Sequence, residues 1–245
     1  MKLAAPLARV LALALLAAAL LAPDAFAPLL RPLTSNGAAP IYTQTSLLSL
    51  TLSHLELVAA AISAAFVVAT SLAVLVTRRF GADFLPLSRS IVNVGQTFPP
   101  VAVLALAVPA VGFGLAPTLI ALFLYGLLPI FENAVAGLRA AGPPVIEAAR
   151  GVGLTPRQRL LRVELPLALP LIVSGLRLSV VVGLGTATIG STVGAPTLGE
   201  VIIAGLLSGN LAFVVQGAVI VGLLAVLSFD ALTLLERRLA VPRRG

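Results

Sequence analysis

Apolar and polar residues follow each other in long blocks along this chain, and the apolar blocks have the length of a membrane crossing. A helix needs about 20 apolar residues to cross the hydrocarbon core of a bilayer. Blocks of this kind occupy residues 55–77, 91–113, 116–137, 166–192 and 211–235. The turn-prone sequence FGLAP at 113–117 separates the second block from the third. The pattern predicts an all-α, polytopic membrane protein with a core of five spanning helices.

Residues 1–27 admit two interpretations. A basic start, an apolar run and the small-x-small ending AFA at 25–27 are features of a signal peptide. The same residues also fit a sixth, N-terminal transmembrane helix that is kinked or ended at Pro23-Asp24. We favour the transmembrane helix, because a polytopic protein needs no cleavable signal.

The composition supports the membrane assignment. Hydrophobic residues make up 59% of the chain and charged residues 10%, whereas a soluble domain spends about a quarter of its residues on charge. The formal net charge of +7 could suggest a nucleic-acid partner, but the arginines cluster in short segments between the apolar blocks. That distribution is typical of cytoplasmic loops, so membrane lipid is the predicted surrounding and no nucleic-acid partner is predicted.

The positions of the basic residues predict the orientation in the cytoplasmic membrane. With the N-terminus inside the cell, 14 of the 16 lysines and arginines fall in four inner segments: 1–9, 78–90, 138–165 and 236–245. Positive charge marks the cytoplasmic side, so both termini are predicted to be cytoplasmic. The chain then divides into an N-terminal part, 1–54, of which 31–54 is predicted on the outer side of the membrane, and a membrane domain, 55–240, which holds the cytoplasmic segment at about 143–166.

Few residues are available for catalysis or metal binding. The chain has no cysteine, one histidine (His54) and one lysine (Lys2), which excludes a thiolate metal site and a Walker A loop. An intramembrane enzyme would need a serine–histidine pair, a metal cluster or paired aspartates. An ion-coupled secondary transporter would predict inverted repeats and an acidic midplane residue. None of these is recognised, so no catalytic residue, metal ligand or cofactor on this chain is predicted, and His54 is expected at the surface.

One long polar segment, at about residues 143–166, interrupts the apolar pattern. Its PP at 143–144 suits the first turn of a helix, and its GVG at 151–153 can end that helix. The following TPRQ at 155–158 has the form of a capping box, which indicates the start of a second helix. That helix is predicted to end with LP at 165–166, where the next apolar block begins.

This segment combines an apolar stripe with an arginine-rich exposed side. The stripe consists of four residues at helical spacing: Val145, Ala148, Ala149 and Val152. A solvated loop would not need two separate helix start signals. The segment is therefore predicted to dock a cytoplasmic partner protein.

The same segment resembles the EAA loop of ABC importer permeases. The matching residues are Glu147, Ala148, Ala149, Gly153, Val163, Leu165 and Pro166, with valine at 163 in place of the commoner isoleucine. The resemblance implies that the first helix is a coupling helix that docks on a separate ATPase subunit, which holds ATP and Mg. Arg157 and Arg159 lie on the exposed side of the segment and are assigned to the same coupling surface.

Three further runs resemble the permeases of osmoprotectant importers, at residues 94–114, 121–140 and 183–202. The resemblance implies transport of quaternary ammonium compounds such as glycine betaine or choline; a permease of an amino-acid-type ABC importer is the alternative. It also implies two further partners, which are an extracytoplasmic substrate-binding protein and a second permease, either identical or homologous. With no tryptophan and two tyrosines, this chain is not expected to form an aromatic cage for a cation.

Polar residues within spans are the candidates for the translocation path, because polar groups in a bilayer are costly. The predicted path residues are Asn93, Gln96, Thr97, Glu132, Thr188 and Ser191. The first three precede a predicted break of the second span at Pro99-Pro100, which is tolerated where backbone lines a cavity. Helix–helix hydrogen bonding is an equal alternative for these three residues. Glu132 could attract a cation, but we favour an ion pair with Arg139. The spacing of Gly175, Ser179, Gly183 and Ala187 predicts helix packing or a dimer seam rather than a ligand site.

Overall fold

A computed structural model of the chain describes residues 4–35 and 37–239. This part of the chain folds as helices joined by short loops and contains no β-strand. The longer helices are, in chain order, α1 (Ala4–Leu21), α2 (Leu47–Val76), α3 (Leu85–Thr97), α4 (Pro100–Val111), α5 (Leu115–Arg139), α6 (Pro143–Gly151), α7 (Pro156–Val193), α8 (Gly199–Ser208) and α9 (Leu211–Leu239). Shorter helical turns occur at Pro23–Phe26, Ala27–Leu30, Arg31–Leu33 and Ala82–Phe84.

Four of these helices, α2, α5, α7 and α9, are long and apolar enough to cross a membrane. Two further helix pairs pass the same criteria but are bent at a short break. They are Pro6–Leu21 with Pro23–Leu33, bent by 107°, and Ala82–Thr97 with Pro100–Val111, bent by 95°. The described residues thus give up to six spans if each bent pair is one span. The predicted all-α, polytopic class is confirmed.

One predicted span begins earlier than expected, and another is broken at the proline pair where the sequence predicts a break. The span predicted to begin at residue 55 begins at Leu47, because its early polar side chains fit a helix; the Thr51 hydroxyl, for example, donates to the Leu47 carbonyl at 2.7 Å. The span predicted over 91–113 is broken at Pro99-Pro100, where Phe98 is extended (φ −96°, ψ 141°). A residue before proline disfavours the helical conformation, and proline itself lacks the N–H that continues a helix.

The chain forms two compact units, and several long helices contribute residues to both. The first unit contains the N-terminal segment up to Ala60 together with Pro99–Leu122 and Val181–Ser228. The second unit contains Ala61–Phe98, Phe123–Val180 and the C-terminal segment from Phe229. Residues 143–166, which we call the coupling segment, lie wholly in the second unit.

Small residues pack helix α7 closely against α5 in the second unit. A side chain at Gly175 would meet the Pro129 carbonyl oxygen at 2.6 Å. One turn further along α7, the Ser179 hydroxyl donates to the Gly126 carbonyl at 2.9 Å. For these two residues, helix packing, one of the two roles predicted for the small-residue stripe, is confirmed within this chain.

Candidate functional site

The coupling segment folds as a helix, a glycine turn and a second helix. Helix α6 ends at Gly151, and Gly153 follows with φ of +80°. The Gly153 N–H donates to the Arg150 carbonyl at 2.9 Å. Thr155 then caps α7: its hydroxyl accepts from the Gln158 N–H at 3.3 Å, and its own N–H donates to the Gln158 side-chain oxygen at 2.9 Å. The predicted capping box is confirmed.

The predicted apolar stripe of α6 faces solvent for most of its length in this chain. Ala149 is buried, whereas Val145 and Val152 are 43% and 77% exposed. Glu147 and Ala148 are exposed as well. Within the described residues Glu147 forms no ion pair. The stripe is therefore a surface of apolar side chains with one free carboxylate, which has the character of a docking surface rather than of a core.

The second helix of the segment was predicted from the sequence to end at Leu165-Pro166, but it does not end there. Helix α7 continues through these residues to Val193 and contains a π turn at Leu160–Glu164. In that turn the Leu165 N–H bonds to the Leu160 carbonyl, five residues back. Such a wider turn adapts a helix to a local disturbance, and Pro166 supplies one because it has no N–H.

The remaining predicted coupling residues are distributed around this arm. Arg157 is exposed, and Arg159, Val163, Leu165 and Pro166 are partly buried. Of these five residues, only Arg157 is thus fully available to another protein. The coupling role of all these residues stays a prediction.

Glu132, a predicted path residue, forms an ion pair with Arg89 and not with Arg139, so the prediction of its partner was wrong. The Arg89 Nε and Nη2 atoms donate to the two carboxylate oxygens at 2.8 and 2.9 Å. Arg89 lies on α3 and Glu132 on α5, so the pair joins two helices that are distant in sequence. Together with Asn93 they line a cavity of about 330 Å³.

The polar residues at the break between α3 and α4 make hydrogen bonds within the second unit. The Gln96 side-chain amide donates to the Tyr125 carbonyl at 3.2 Å, and the Thr97 hydroxyl donates to the Val94 carbonyl at 2.7 Å. The Tyr125 hydroxyl donates to the Phe98 carbonyl. Helix–helix hydrogen bonding, the alternative stated for Asn93, Gln96 and Thr97, is present for Gln96, whereas Thr97 bonds within α3. A role in the path stays a prediction for all three residues.

The hydroxyls of Thr188 and Ser191, in the first unit, also have local partners. Thr188 donates to the Gly185 carbonyl at 2.7 Å. The Ser191 and Thr197 hydroxyl oxygens are 2.7 Å apart, and the Thr197 hydroxyl reaches the Ala187 carbonyl at 3.0 Å. These bonds stabilise the end of α7 and the loop that follows it. A role in the path stays a prediction for both residues.

His54 is buried rather than at the surface, with 0% exposure. Its Nε2 lies 3.0 Å from the Leu184 carbonyl oxygen, and its Nδ1 accepts from the Leu198 N–H at 3.4 Å. With Nδ1 as the acceptor, Nε2 carries the proton and donates. The helical spacing of His54 from the buried residues Leu50 and Val58 is the signal that could have shown this burial from the sequence.

Replacing His54 with leucine is expected to destabilise the protein by about 2 kcal/mol, because it leaves the buried Leu184 carbonyl and Leu198 N–H without partners. Thermal unfolding in detergent, followed by circular dichroism, measures the loss. The control is Leu52→Ala, at a position of the same helix that is 52% exposed. Equal unfolding temperatures for the two variants would contradict the bridging role of the ring.

A second network in the first unit was not predicted from the sequence. One Glu200 carboxylate oxygen accepts from the Tyr42 hydroxyl at 2.6 Å and from the Thr45 hydroxyl at 2.7 Å. The Tyr42 N–H donates to the Gln216 side-chain oxygen at 3.0 Å. Burial, and then the hydrogen bond to Glu200, raise the pKa of Tyr42 to about 12. The network fastens the loop before α2 to α8 and α9.

Comparison with known proteins agrees with these features. Residues 65–241 match the family described as "Binding-protein-dependent transport system inner membrane component". The chain is 39% identical over 197 residues to the osmoprotectant import permease protein OsmY of Salmonella typhimurium, an alignment that covers 80% of this chain and 84% of the relative. It is 37% identical over 208 residues to the choline transport system permease protein OpuBB of Bacillus subtilis, covering 84% of this chain and 91% of the relative.

The fold is also similar to a solved structure. A chain of the MetNI methionine ABC transporter, in an inward-facing conformation, aligns with a TM-score of 0.71 at 24% identity, covering 80% of this chain and 96% of that one. At this identity the similarity shows the fold alone. The family match, the identity to two permeases and the fold lead to one assignment: this chain belongs to the binding-protein-dependent transport system inner membrane components and is a permease of an ABC importer.

Proposed function

We propose that this permease carries quaternary ammonium osmoprotectants, such as glycine betaine or choline, across the cytoplasmic membrane. The proposal is supported by the relatives, which are named for osmoprotectant import and for choline transport. Both alignments extend over more than three quarters of each chain, so the likeness is not confined to the coupling segment. The alternative, an amino-acid-type importer, has only a fold similarity in its favour.

Coupling to a separate ATPase subunit is the second part of the proposal. The observation that carries it is the exposed face of α6, where apolar side chains and the free Glu147 carboxylate lie next to the Gly153 turn. An apolar helix face rimmed by charge is typical of a helix that docks in a groove of a partner. ATP and Mg would be bound by that subunit, and both termini of this chain would lie on the same, cytoplasmic side.

We infer a transport cycle of alternating access, in which the coupling segment passes the motion of the ATPase subunits to the membrane helices. ATP-driven closure of two ATPase subunits would displace α6, and the capping box would transmit that displacement to α7, which continues as a membrane helix. Opening of the path to the outside would follow, and hydrolysis would reset it. Since one permease of this size encloses no path by itself, a second copy or a homologous permease would complete it.

Substrate selection is assigned to an extracytoplasmic binding protein. A cage for a quaternary ammonium ion presents several free aromatic faces. Of the two tyrosines, Tyr42 is buried with its ring against Phe213, 5.4 Å between centroids, and the Tyr125 hydroxyl is bonded to the Phe98 carbonyl. The permease would then provide only weak, transient contacts, which favour release of the substrate.

A matched pair of glycine substitutions tests the coupling. Gly151 and Gly153 both have open space around them, but only Gly153 has a positive φ, of +80°. A side chain at such a φ costs about 1–2 kcal/mol, so Gly153→Ala is expected to lower uptake by about tenfold through a shift of the turn away from this conformation. Gly151→Ala should leave uptake unchanged. Radiolabelled glycine betaine and choline uptake and ATPase activity are measured in the reconstituted complex.

Three results would contradict parts of the proposal. Equal uptake by the two variants, in complexes that copurify equally well, would remove the role of the Gly153 turn in coupling. Full uptake without any ATPase subunit would overturn coupling altogether. Substrate-independent hydrolysis, with transport of neither compound, would leave an ABC permease and remove the osmoprotectant assignment.

A further inference from the structure

A cavity of about 630 Å³ lies in the second unit, between the end of α2, the end of α5, helix α6 and the first turns of α7. It is lined by six charged residues: Arg78, Arg79, Arg139, Arg150, Arg159 and Glu164. We call it the arginine cavity. Five cations and one anion in so small a volume repel one another unless a further anion is present.

One of the five arginines is neutralised by this chain. Arg78 forms an ion pair with Glu164, and its Nε donates to the Val74 carbonyl at 3.2 Å. The Glu164 side chain is 8% exposed, so this pair is largely shielded from water. The Glu164 carboxylate therefore neutralises Arg78 and does not compensate the charge of the other four guanidinium groups.

The other four arginines have no partner among the described residues. They are Arg79, Arg139, Arg150 and Arg159, and none of them forms an ion pair or a side-chain hydrogen bond there. The Nε of Arg159 is buried and lacks an acceptor. A buried donor on a charged group is costly to leave unpaired. An anion bound in the cavity would supply the missing acceptor.

Glu147, the carboxylate nearest in sequence, does not fill that role. It lines an adjoining cavity of about 340 Å³ together with Arg139 and Arg150. It forms an ion pair with neither of them in the described structure. Its exposed position on α6 keeps it available to another protein.

The dimensions and chemistry of the arginine cavity suit a phosphate group. Guanidinium groups bind phosphate oxygens through paired, charge-assisted hydrogen bonds. Ligand pockets have volumes of about 300–1,000 Å³, a range that includes this cavity. Basic pockets between membrane helices also bind the head groups of anionic lipids.

We propose that the arginine cavity binds a phosphate group, carried by an anionic phospholipid headgroup or present as free phosphate. The phosphate would contact Arg79 after α2, Arg150 on α6 and Arg159 on α7, and would connect the coupling helix to two membrane helices. This site is separate from substrate transport and from the exposed face of α6. Its occupancy would set how firmly α6 is held against the rest of the second unit.

The test uses the full chain, purified in a neutral detergent, and native mass spectrometry. The two lipid probes are phosphatidylglycerol and phosphatidylcholine, which share a phosphodiester but differ in net charge; inorganic phosphate is the third probe, measured by calorimetry. We expect phosphatidylglycerol to bind more tightly than phosphatidylcholine. Competition by inorganic phosphate would assign the site to free phosphate, and its absence would assign it to the headgroup; both results support the proposal.

A matched pair of double variants locates the site. Arg79→Gln with Arg150→Gln removes two of the proposed phosphate contacts, and both arginines are exposed and unpaired in the described structure, so the fold should persist. The control, Arg162→Gln with Arg237→Gln, removes two exposed arginines that do not line the cavity. The cavity variant is expected to bind about tenfold more weakly for each arginine removed, and the control should bind as the wild type does.

The outcomes that overturn the proposal are distinct. Equal weakening in the two double variants would show only a general attraction of charge. Equal binding of both lipids by the wild type, with no binding of inorganic phosphate, would show that no anion site exists. Loss of lipid binding when the ATPase subunit is added would assign the arginines to a protein interface instead.

Discussion

Gly199→Ala is expected to destabilise the protein by about 3 kcal/mol, at the upper end of the range for overpacked sites. A side chain at Gly199 would place its Cβ 1.8 Å from the Thr188 carbonyl oxygen and 2.6 Å from the carbonyl carbon. Both are backbone atoms, which cannot rotate away as the end of a flexible side chain can. The start of α8 would have to move away from the end of α7, in the first unit.

That movement would also disturb the hydrogen bonds of Thr197. The Thr197 hydroxyl accepts from the Gly199 N–H at 3.2 Å and bonds to the Ala187 carbonyl at 3.0 Å. Circular dichroism of the protein in detergent gives the unfolding temperature. The control is Gly185→Ala, since Gly185 has open space around it and an added methyl group there should change stability by less than about 1 kcal/mol. If the Gly199→Ala protein had the same unfolding temperature as the Gly185→Ala control, this packing would be contradicted.

Glu164→Ala is expected to destabilise the protein by about 3 kcal/mol, because it leaves Arg78 as an uncompensated, largely buried charge. The side chains of Arg78 and Glu164 are 22% and 8% exposed, which limits solvation of the remaining cation. Glu132→Ala provides the comparison. It breaks the more exposed pair with Arg89, whose side chains are 36% and 48% exposed, and should cost below about 1 kcal/mol.

A double variant separates the contribution of the charges to stability from that of side-chain volume. Replacing Arg78 and Glu164 together with methionine removes both charges, and such apolar replacements of buried pairs are often neutral. The double variant should therefore regain most of the stability lost by Glu164→Ala. Unfolding temperatures of all the variants, measured in one detergent, give the result. If Glu164→Ala and Glu132→Ala cost the same, the shielding of the Arg78 pair is not what determines its contribution.

Local sequence signals predicted the elements of this fold well. Apolar block length indicated the spans, and the capping box at Thr155 and Gln158 was recognised because both of its hydrogen bonds lie within four residues. The break at Pro99-Pro100 was also visible, since proline acts on its own backbone and on that of its neighbour. The angle of the break, 95° between α3 and α4, could not be predicted from the local sequence.

The errors concern partners that are distant in sequence. Glu132 was assigned to Arg139, seven residues away on the same helix, but it pairs with Arg89 on α3. His54 was placed at the surface because it precedes the predicted start of its span at residue 55, so its helical spacing from Leu50 and Val58 was overlooked. Its hydrogen-bond partners Leu184 and Leu198 are 130 and 144 residues away. The arginine cavity was missed for the same reason, since its arginines belong to four helices or helix ends that are separate in the sequence.

The π turn at Leu160–Glu164 determines how the side chains before it are rotated about the axis of α7 relative to those after it. A π turn closes its hydrogen bonds over five residues instead of four, so it holds one residue more than the α-helical turn it replaces. In an α-helix one residue corresponds to about 100° of rotation and about 1.5 Å of rise. The extra residue therefore determines which side of α7 carries Arg159 when Ala168, further along the same helix, lies against Gly137. Two surfaces with different roles share one continuous helix, and the π turn sets the angle between them.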